Sequence, residues 1–332
     1  MKIPIRTAVI GCGGMARYHI AQMLQQPDTT EIVVLSEPSP EQVALTARVF
    51  SAANKPIPPN QPDIQRMLHE YALDAAFIVT PHVYHYPQAV ACMQAGLDVL
   101  LEKPMVMNAA EAEALIELRN HTGRLLVVAF PGSLSPRIRR AVQLLRSGEL
   151  GRLLSIDAVA WQNWGAGTAN TWRQNPAMSG GGFLFDTGAH MLNTVVDLAG
   201  EPFVEVSAWL DKCGRPVETI SVAIAHLASG GYVTLHGNGE AIPSCASTIR
   251  VFTSEAILTT GIWGETLKLQ RSGRRTARLV PTSPSLGVWQ QFVQVRQGVI
   301  ENPCPPEVGL RMAKLYDAIM RSAAQGGCPV AC

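Results

Sequence analysis

The sequence carries almost no net charge. Its 27 Lys and Arg residues face 26 Asp and Glu residues, which leaves a formal net charge of +1. No basic field is therefore present to hold a polyanion, and this argues against nucleic acid or a membrane surface as a partner. Charged residues make up 16% and hydrophobic residues 47% of the 332 positions, a balance typical of a compact globular protein rather than a disordered one.

Paired cysteines and long apolar runs are also missing. The seven cysteines are scattered and none forms a C-x-x-C motif, which favours reduced thiols over a disulfide framework. No apolar run reaches the ~18 residues of a membrane span. Residues 1–11 show no charged-then-apolar signal with a cleavage site, and we expect a cytoplasmic protein.

We expect no metal, because His82 and His85 have no third ligand nearby in the sequence.

A glycine-rich turn follows the first expected strand, residues 7–10. The turn is formed by Gly11, Gly13, Gly14, Met15 and Ala16. This is the G-x-G-x-x-A spacing between a strand and a helix that is typical of dinucleotide binding. The glycines allow a tight turn and a close approach of the pyrophosphate, and the small Ala16 lets the helix pack on the strand. The helix N-terminus adds a favourable field for phosphate groups.

An acid ends the second expected strand, residues 31–36. Glu37 lies 21 positions beyond Ala16, close to the ~20 expected for the residue that binds the ribose hydroxyls. No Arg or Lys follows before Arg48, so a 2′-phosphate would face like charge. We therefore expect NAD as the cofactor rather than NADP. The alternative is that Glu37 is an ordinary polar turn residue.

Two more turns follow expected strands at their carboxyl ends, where open α/β sheets bind ligands. The residues that we assign to the cofactor side are Thr80, Pro81 and His85 after the first of these strands, and Glu102 and Lys103 after the second. Burial and a neighbouring cation lower the pKa of a lysine towards neutrality, which would suit Lys103 to proton transfer. The alternative is a surface lysine in a turn.

Asp186 and His190 stand four positions apart after three glycines, residues 180–182. On a helix this spacing would place both side chains on one face. Gly188 between them would cost a helix about 0.5–1 kcal/mol relative to Ala. The close approach of a nicotinamide ring would explain that cost. The alternative is a glycine-rich turn in which Asp186 caps a helix and His190 belongs to the core.

The second half of the chain alternates between apolar and polar residues. Strands are expected at residues 204–210, 219–227, 232–238, 248–253 and 256–260. Their succession predicts a run of neighbours in an antiparallel sheet. We expect residues 271–278 to form a solvated hairpin.

The order of these motifs resembles the Gfo/Idh/MocA family of nicotinamide-dependent oxidoreductases over nearly the whole chain. Glu-Lys-Pro at 102–104 together with Asp-x-Gly-x-His at 186–190 is specific. The resemblance implies an N-terminal Rossmann dinucleotide-binding domain, residues 1–130. It implies a C-terminal α/β domain, residues 131–332, whose large, mostly antiparallel open sheet serves substrate binding and association into a homodimer or homotetramer.

The resemblance also implies a catalytic trio of Lys103, Asp186 and His190. The family often has an Asp three positions after the His, where this chain has Asn193, which keeps hydrogen bonding without the charge. We take Asn193 as a candidate substrate contact, together with Trp172 and Arg173 in the loop before the glycines. An Arg and aromatic faces suit a polyhydroxylated ligand, although a structural loop is the alternative.

We therefore expect an NAD-dependent dehydrogenase that transfers a hydride between nicotinamide and a secondary alcohol or ketone of a sugar, inositol or related polyol. His190 would be the general acid and base, Lys103 would polarise the oxygen, and Asp186 would orient His190. Two alternatives remain open. One is transient oxidation that ends in glycoside hydrolysis or epimerisation, and the other is a non-enzymatic NAD-binding sensor.

Overall fold

The computed structural model describes residues 4–332. Met1, Lys2 and Ile3, which belong to the N-terminal segment discussed above for a signal peptide, lie outside the described residues. The described strands are β1 (Ile5–Ile10), β2 (Thr30–Ser36), β3 (Ala75–Ile78), β4 (Asp98–Leu101), β5 (Leu126–Val128), β6 (Leu153–Asn163), β7 (Phe203–Asp211), β8 (Ile220–Leu227), β9 (Tyr232–Asn238), β10 (Glu240–Thr253), β11 (Ala256–Thr260), β12 (Leu267–Arg271), β13 (Arg278–Leu279) and β14 (Val330–Ala331).

The helices of the same residues alternate with these strands in the first half of the chain. They are α1 (Gly14–Met23), α2 (Pro40–Ala52), α3 (Ile64–Glu70), α4 (His85–Gln94), α5 (Ala109–Thr122), α6 (Pro131–Leu134), α7 (Pro136–Arg146), α8 (Trp164–Gly167), α9 (Pro176–Ser179), α10 (Gly188–Ala199), α11 (Val288–Arg296) and α12 (Pro306–Ala324). Short 3₁₀ turns cover His82–Tyr84 and Trp172–Gln174.

Among the described residues, the first of two compact units comprises residues 4–106, Ala110–Ala129 and Leu286–Pro306. Its five strands form one sheet in the order β2-β1-β3-β4-β5, and every pair is parallel. The strands are short apolar runs, and β3 is buried along its whole length. Strands buried on both faces are typical of a parallel sheet covered by helices. The predicted Rossmann-type sheet is therefore confirmed.

A late segment of the chain returns to this first unit. Trp289 on α11 stacks on Phe77 of β3, with ring centroids 6.3 Å apart. Its indole N–H donates to Oγ1 of Thr30 at 2.6 Å. Asn302 then donates to the carbonyl of Leu126 at 2.9 Å. The segment thus completes the apolar core of a sheet whose strands all lie before residue 130.

Side-chain caps fix where several helices begin. Ser39 accepts from the N–H of Gln42 at 3.4 Å and stands before Pro40, the first residue of α2. Ser135 accepts from the N–H of Arg137 at 3.3 Å before α7. Each cap satisfies an N–H that the helix itself leaves open.

The second unit comprises Met107–Ala109, Phe130–Ser285 and Glu307–Cys332. Its nine strands form one sheet in the order β13-β12-β11-β10-β6-β9-β8-β7-β14. The pairs are antiparallel except β6–β9. The predicted large, mostly antiparallel sheet is confirmed, and residues 271–278 connect β12 and β13 as a hairpin.

The expected order of successive neighbours is wrong at one place in this sheet. The earlier strand β6 lies between β9 and β10, pairing with both. Strand β6 has 11 residues, so each of its two edges is long enough to pair with a neighbouring strand. Helix α10, with most of its residues buried, packs on β6 and covers one face of the sheet there.

Candidate active site

The glycine-rich turn has the geometry of a dinucleotide cradle. Gly11 has φ +93°, and a Cβ on it would lie 2.5 Å from the carbonyl oxygen of Val79, so only glycine fits. A Cβ on Gly13 would meet nothing within 4 Å, which leaves the backbone open to a ligand. Helix α1 begins at Gly14, and its first N–H groups have no partner within the helix. Ala16 is fully buried, as the spacing predicts. These residues fit a pyrophosphate at a helix N-terminus.

Glu37 is held in place by backbone groups. Its Oε2 accepts from the N–H of Cys12 at 2.8 Å, and its Oε1 accepts from the N–H of Ser39 at 2.9 Å. Its own N–H and carbonyl pair with the amide of Asn60 at 3.0 and 2.9 Å. The carboxylate is thus fixed at the end of β2, with lone pairs remaining for ribose hydroxyls.

A cation lies nearer to this carboxylate than the sequence suggests. Arg17 on α1 donates through Nη1 to the carbonyl of Cys12 and to Oε1 of Gln42, each at 2.7 Å. The N–H of the same Cys12 is bound by Glu37. The expectation of NAD rests on the absence of cations directly after Glu37, whereas Arg17 precedes Glu37 in the chain.

His85 ties two turns of the first unit together. Its Nδ1 is 2.7 Å from the carbonyl of Pro104, and its Nε2 is 2.9 Å from the carbonyl of Thr80. The ring is fully buried, and burial lowers its pKa while the two carbonyls oppose that shift. The turn after β3, which contains Pro81, is thereby joined to the turn that follows Lys103.

The side chain of Glu102 folds back on the chain beside Lys103. Its Oε2 accepts from the N–H of Lys103 at 3.0 Å, and its Oε1 lies 2.8 Å from Nε2 of His19. The carboxylate of Glu102 is therefore engaged within the protein. The predicted cofactor roles of Thr80, Pro81, His85, Glu102 and Lys103 stay predictions.

In the second unit, the three glycines pack against buried side chains. Gly182 donates its N–H to Oε1 of Glu218 at 2.7 Å, and Phe183 donates to the carbonyl of Glu218 at 2.9 Å. A Cβ on Gly181 would collide with the hydroxyl of Tyr316, and one on Gly182 with the backbone of Glu218. Small residues are needed here because the chain passes so close to its neighbours.

Asp186 lies just before α10, whereas the prediction that Asp186 and His190 share one face assumes that both lie within one helix. Its N–H donates to the carbonyl of Gly182 at 3.0 Å. Oδ2 of this buried carboxylate accepts from the indole N–H of Trp164 at 2.8 Å and from Nε of Arg173 at 3.0 Å. Two donors on one oxygen fix the orientation of the carboxylate.

His190 stands in the first turn of α10 between two aromatic rings. Its imidazole lies edge-on to Phe130, with ring centroids 5.9 Å apart, and 5.6 Å from Trp263. Phe130 is fully buried, whereas Trp263 keeps part of its surface exposed. The aromatic pair limits the orientations that the imidazole can take. Gly188 is packed against Phe183 and Leu184, which is a local reason for a glycine at that position.

The three substrate candidates have different surroundings. The Arg173 guanidinium lies over the Trp172 ring, 4.6 Å from its centroid, and both residues are partly exposed. Asn193 is fully buried and donates to Oγ of Ser133 at 2.8 Å. Ser133 in turn donates to Asp197 at 2.8 Å. Asn193 is thus embedded in a polar network of the unit's interior. Its predicted substrate role stays a prediction.

Three residues at these sites were missed by the sequence argument. His19 contacts Glu102, Trp164 contacts Asp186, and Trp263 contacts His190. His19 carries the one available signal, because it lies on the buried face of α1 where an apolar residue is expected. The other two contacts join residues far apart in the chain, and no local pattern indicates them.

Two negative findings concern the described residues 4–332. They contain no group of three or more His, Cys, Asp or Glu side chains arranged to hold a metal ion. Among their helices, none combines the length and the apolar character that crossing a membrane requires.

Two family models match the chain. The first, described as an oxidoreductase family with an NAD-binding Rossmann fold, matches residues 5–130. The second, the GFO/IDH/MocA C-terminal domain, matches residues 138–259. Each match falls on the half of the chain that carries the corresponding motifs.

Similar proteins act on sugars. Levoglucosan dehydrogenase of Pseudarthrobacter phenanthrenivorans is 28% identical over 192 residues, which cover 56% of this chain and 47% of that enzyme. D-xylose 1-dehydrogenase [NADP(+)] of Haloarcula marismortui is 26% identical over 193 residues, which cover 58% of this chain and 53% of that enzyme. The chain thus spans about half the length of these curated relatives.

A solved structure of a levoglucosan dehydrogenase in complex with NADH and levoglucosan matches almost the whole chain. The TM-score is 0.84 at 21% identity, covering 99% of both chains. This likeness shows the fold.

Proposed function

The chain belongs to the Gfo/Idh/MocA family of oxidoreductases, and we propose that it is an NAD-dependent dehydrogenase acting on a secondary alcohol or ketone of a sugar, inositol or related polyol. The observation that carries the proposal is the fixed Asp186 carboxylate four positions before His190, an imidazole held between aromatic rings. A protein that only senses NAD has no need of such a proton-transfer group. The names of the sugar dehydrogenases above support the substrate class.

The first unit supplies the residues that would hold NAD. The open backbone at Gly13, the N–H groups at the start of α1 and the fixed carboxylate of Glu37 suit the pyrophosphate and the ribose. When bound, NAD supplies the carbon that accepts or returns the hydride. Glu37 is the reason that we propose NAD over NADP, although a similar dehydrogenase carries NADP(+) in its name.

The proton is moved by residues of this chain. His190 takes the proton of the substrate hydroxyl in oxidation and returns it in reduction. Lys103 polarises the same oxygen, and the carboxylate of Asp186 orients His190 and stabilises its charged form. Trp164 and Arg173 hold that carboxylate in one orientation. General acid–base catalysis of this kind is typically worth about 10²–10⁴-fold in rate.

The substrate side of the proposal rests on the second unit. Trp172 and Arg173 present an aromatic face and guanidinium N–H groups, which suit a polyhydroxylated ligand. Because Asn193 is buried and bonded to Ser133, we propose that it supports α10 beneath His190.

We also propose that the protein forms a homodimer or homotetramer through its large sheet. The face away from α10 exposes Trp209, Val222, Ile224 and Tyr232, by 42–56% each. Val222 pairs with Trp209 across β7 and β8, and Ile224 follows two positions along β8 on the same face, so these three apolar side chains adjoin. Contiguous apolar surface of this kind is typical of an interface.

The seven free cysteines support a reducing, cytoplasmic location.

The test follows the near-ultraviolet absorbance of reduced nicotinamide. The protein is mixed with NAD, and separately with NADP, against a panel of sugars, inositols and sugar acids. A rise with NAD and one polyol is the expected result, and it identifies the substrate class at the same time. The variant His190→Ala should lower turnover by about 10²–10⁴-fold while NADH binding, measured by fluorescence, is retained. Unchanged turnover in that variant would exclude the assignment of His190.

The same experiment separates the alternatives. If NADH binds but no polyol produces net reduction, a transient-oxidation enzyme or a sensor is favoured over a dehydrogenase. Product analysis on glycosides then distinguishes these two, because only the enzyme releases a hydrolysed or epimerised sugar. If neither NADH nor NADPH binds, the whole proposal fails.

A further inference from the structure

We propose that His19 is a positioning residue for the reaction, which acts through Glu102 on the backbone of Lys103. Nε2 of His19 lies 2.8 Å from Oε1 of Glu102, and Oε2 of the same carboxylate accepts from the N–H of Lys103 at 3.0 Å. One carboxylate thus joins a helix side chain to the backbone of the lysine. The inference rests on the proposed function, since it assumes that Lys103 acts on the substrate.

The pair is well shielded from water. The side chain of His19 is 4% exposed and that of Glu102 is 10% exposed. The imidazole packs on the ring of Phe77, with centroids 4.9 Å apart. In such surroundings a carboxylate without a hydrogen-bond partner is costly in free energy. Glu102 therefore strongly favours the conformation in which its carboxylate is bonded to His19. The position of Glu102, and with it the N–H of Lys103, is therefore defined by His19.

The backbone before Lys103 is pinned as well. The N–H of Glu102 donates to the carbonyl of Ile78 at 2.9 Å, which holds the end of β4 against β3. Beyond that bond the chain leaves the sheet, and the carboxylate of Glu102 then binds the N–H of Lys103. Lysine has a flexible four-carbon stem, so a fixed backbone restricts where its ammonium group can reach.

Helix α1 serves two purposes in this arrangement. Its N-terminus at Gly14 offers N–H groups to the dinucleotide, and its second turn carries His19. One rigid element therefore sets both the cofactor cradle and the lysine. Rigid elements hold reacting groups more accurately than loops do, and a misplacement of about 1 Å can cost about 10²-fold in rate.

The first test compares two substitutions of the same histidine. His19→Leu removes the donor, whereas His19→Gln keeps an N–H donor at a similar reach. We expect His19→Leu to lower kcat by about 10²-fold with KM and the NADH dissociation constant unchanged, and His19→Gln to recover most of the loss. A parallel loss of NADH binding and turnover, or equal loss in both variants, would overturn the proposal.

A second measurement does not depend on turnover. The acylation rate of Lys103 is followed by peptide mapping with NADH bound, and the exposed Lys268 is the internal reference. Because His19→Leu releases the backbone, Lys103 should react faster while Lys268 is unchanged. Met23→Ala is the matched control, since Met23 is fully buried on the same face of α1. It should lower the melting temperature without changing the reactivity of Lys103.

The two readouts separate the two proposals. If the wild-type protein reduces no NAD with any polyol, the proposed function fails, while the labelling result still decides whether His19 positions Lys103. If His19→Leu and Met23→Ala give the same labelling, the contact between His19 and Glu102 serves only packing, and the inference is wrong.

Discussion

The guanidinium of Arg173 donates through Nε to Oδ2 of Asp186 at 3.0 Å, and this is the oxygen that also accepts the indole N–H of Trp164 at 2.8 Å. Arg173 therefore has two assignments, one as a neighbour of the proposed substrate and one as a holder of the carboxylate behind His190. Its side chain is 34% exposed and that of Asp186 is 9% exposed, so the ion pair lies at the edge of the unit's interior.

Replacing Arg173 with Leu should lower kcat by about 10- to 100-fold. This follows from the ~1.5–3 kcal/mol typical of a hydrogen bond to a charged group, at about 1.36 kcal/mol per tenfold. Arg173→Lys should fall between this variant and wild type, because it keeps the charge but loses the planar N–H geometry. Steady-state kinetics with the polyol found in the panel measure both. A wild-type kcat with a raised KM in Arg173→Leu would assign Arg173 to substrate binding alone.

What the sequence could predict at these sites depends on short-range patterns. The turn from Gly11 to Ala16 and the acid at Glu37 are both defined by spacing within one βαβ unit. Their places in the structure agree with that spacing. Each of these features meets a local requirement of the backbone, such as a positive φ or a helix N–H without a partner in its own helix. The residue types that meet such requirements can be recognised in the sequence.

The contacts that complete the sites were not predictable in this way. His19 and Glu102 are 83 positions apart, and Gly182 and Glu218 are 36 apart. The position of β6 between β9 and β10 likewise depends on which strand edges are free when the sheet forms. Such pairings depend on tertiary packing, for which hydrophobic periodicity carries no information. The return of Leu286–Pro306 to the first unit is another example.

Glu37 should determine the choice between NAD and NADP. Glu37→Ser removes a carboxylate that occupies the N–H groups of Cys12 and Ser39, and it leaves Arg17 close by. We expect NADH affinity to fall by about 10-fold or more, because bonds from ribose hydroxyls to a charged group are lost. NADPH affinity should rise, since the 2′-phosphate no longer meets a negative charge.

Fluorescence titration with NADH and NADPH measures this change in preference. Glu41→Ser is the matched control, because Glu41 is an exposed acid in the first turn of α2, four positions further on. An unchanged ratio of the two affinities in Glu37→Ser would show that Glu37 does not select the cofactor.

Trp263 should hold His190 in its working orientation. The two rings have centroids 5.6 Å apart, and Trp263 lies in the connection between β11 and β12. An aromatic contact of this kind is worth about 0.5–1.5 kcal/mol, so Trp263→Ala should lower kcat/KM about 2- to 10-fold. Trp263→Phe keeps a ring beside the imidazole and should retain most of the activity. Equal losses in the two variants would mean that the indole has another role.

Glu218 should make the stability of the protein fall as the pH rises. Its side chain is buried, and burial raises its pKa, although bonds from backbone N–H groups such as that of Gly182 oppose the shift. With the folded-state pKa above the unfolded one, the folded state binds the proton more tightly. The resulting stabilisation is complete below the unfolded pKa, and it is lost as the pH rises through the folded pKa.

Glu218→Gln isolates this contribution. The amide keeps an oxygen for the N–H of Gly182 and does not titrate. The melting temperature of the variant minus that of the wild type should therefore increase as the pH is raised from acid to neutral, by about 2–4 °C for each kcal/mol. Glu255→Gln, at an exposed position before β11, is the matched control for the removal of a carboxylate. A flat difference for Glu218→Gln as well would mean that the carboxyl has the same pKa in the folded and unfolded states, so that the bonds from backbone N–H groups balance the cost of burial.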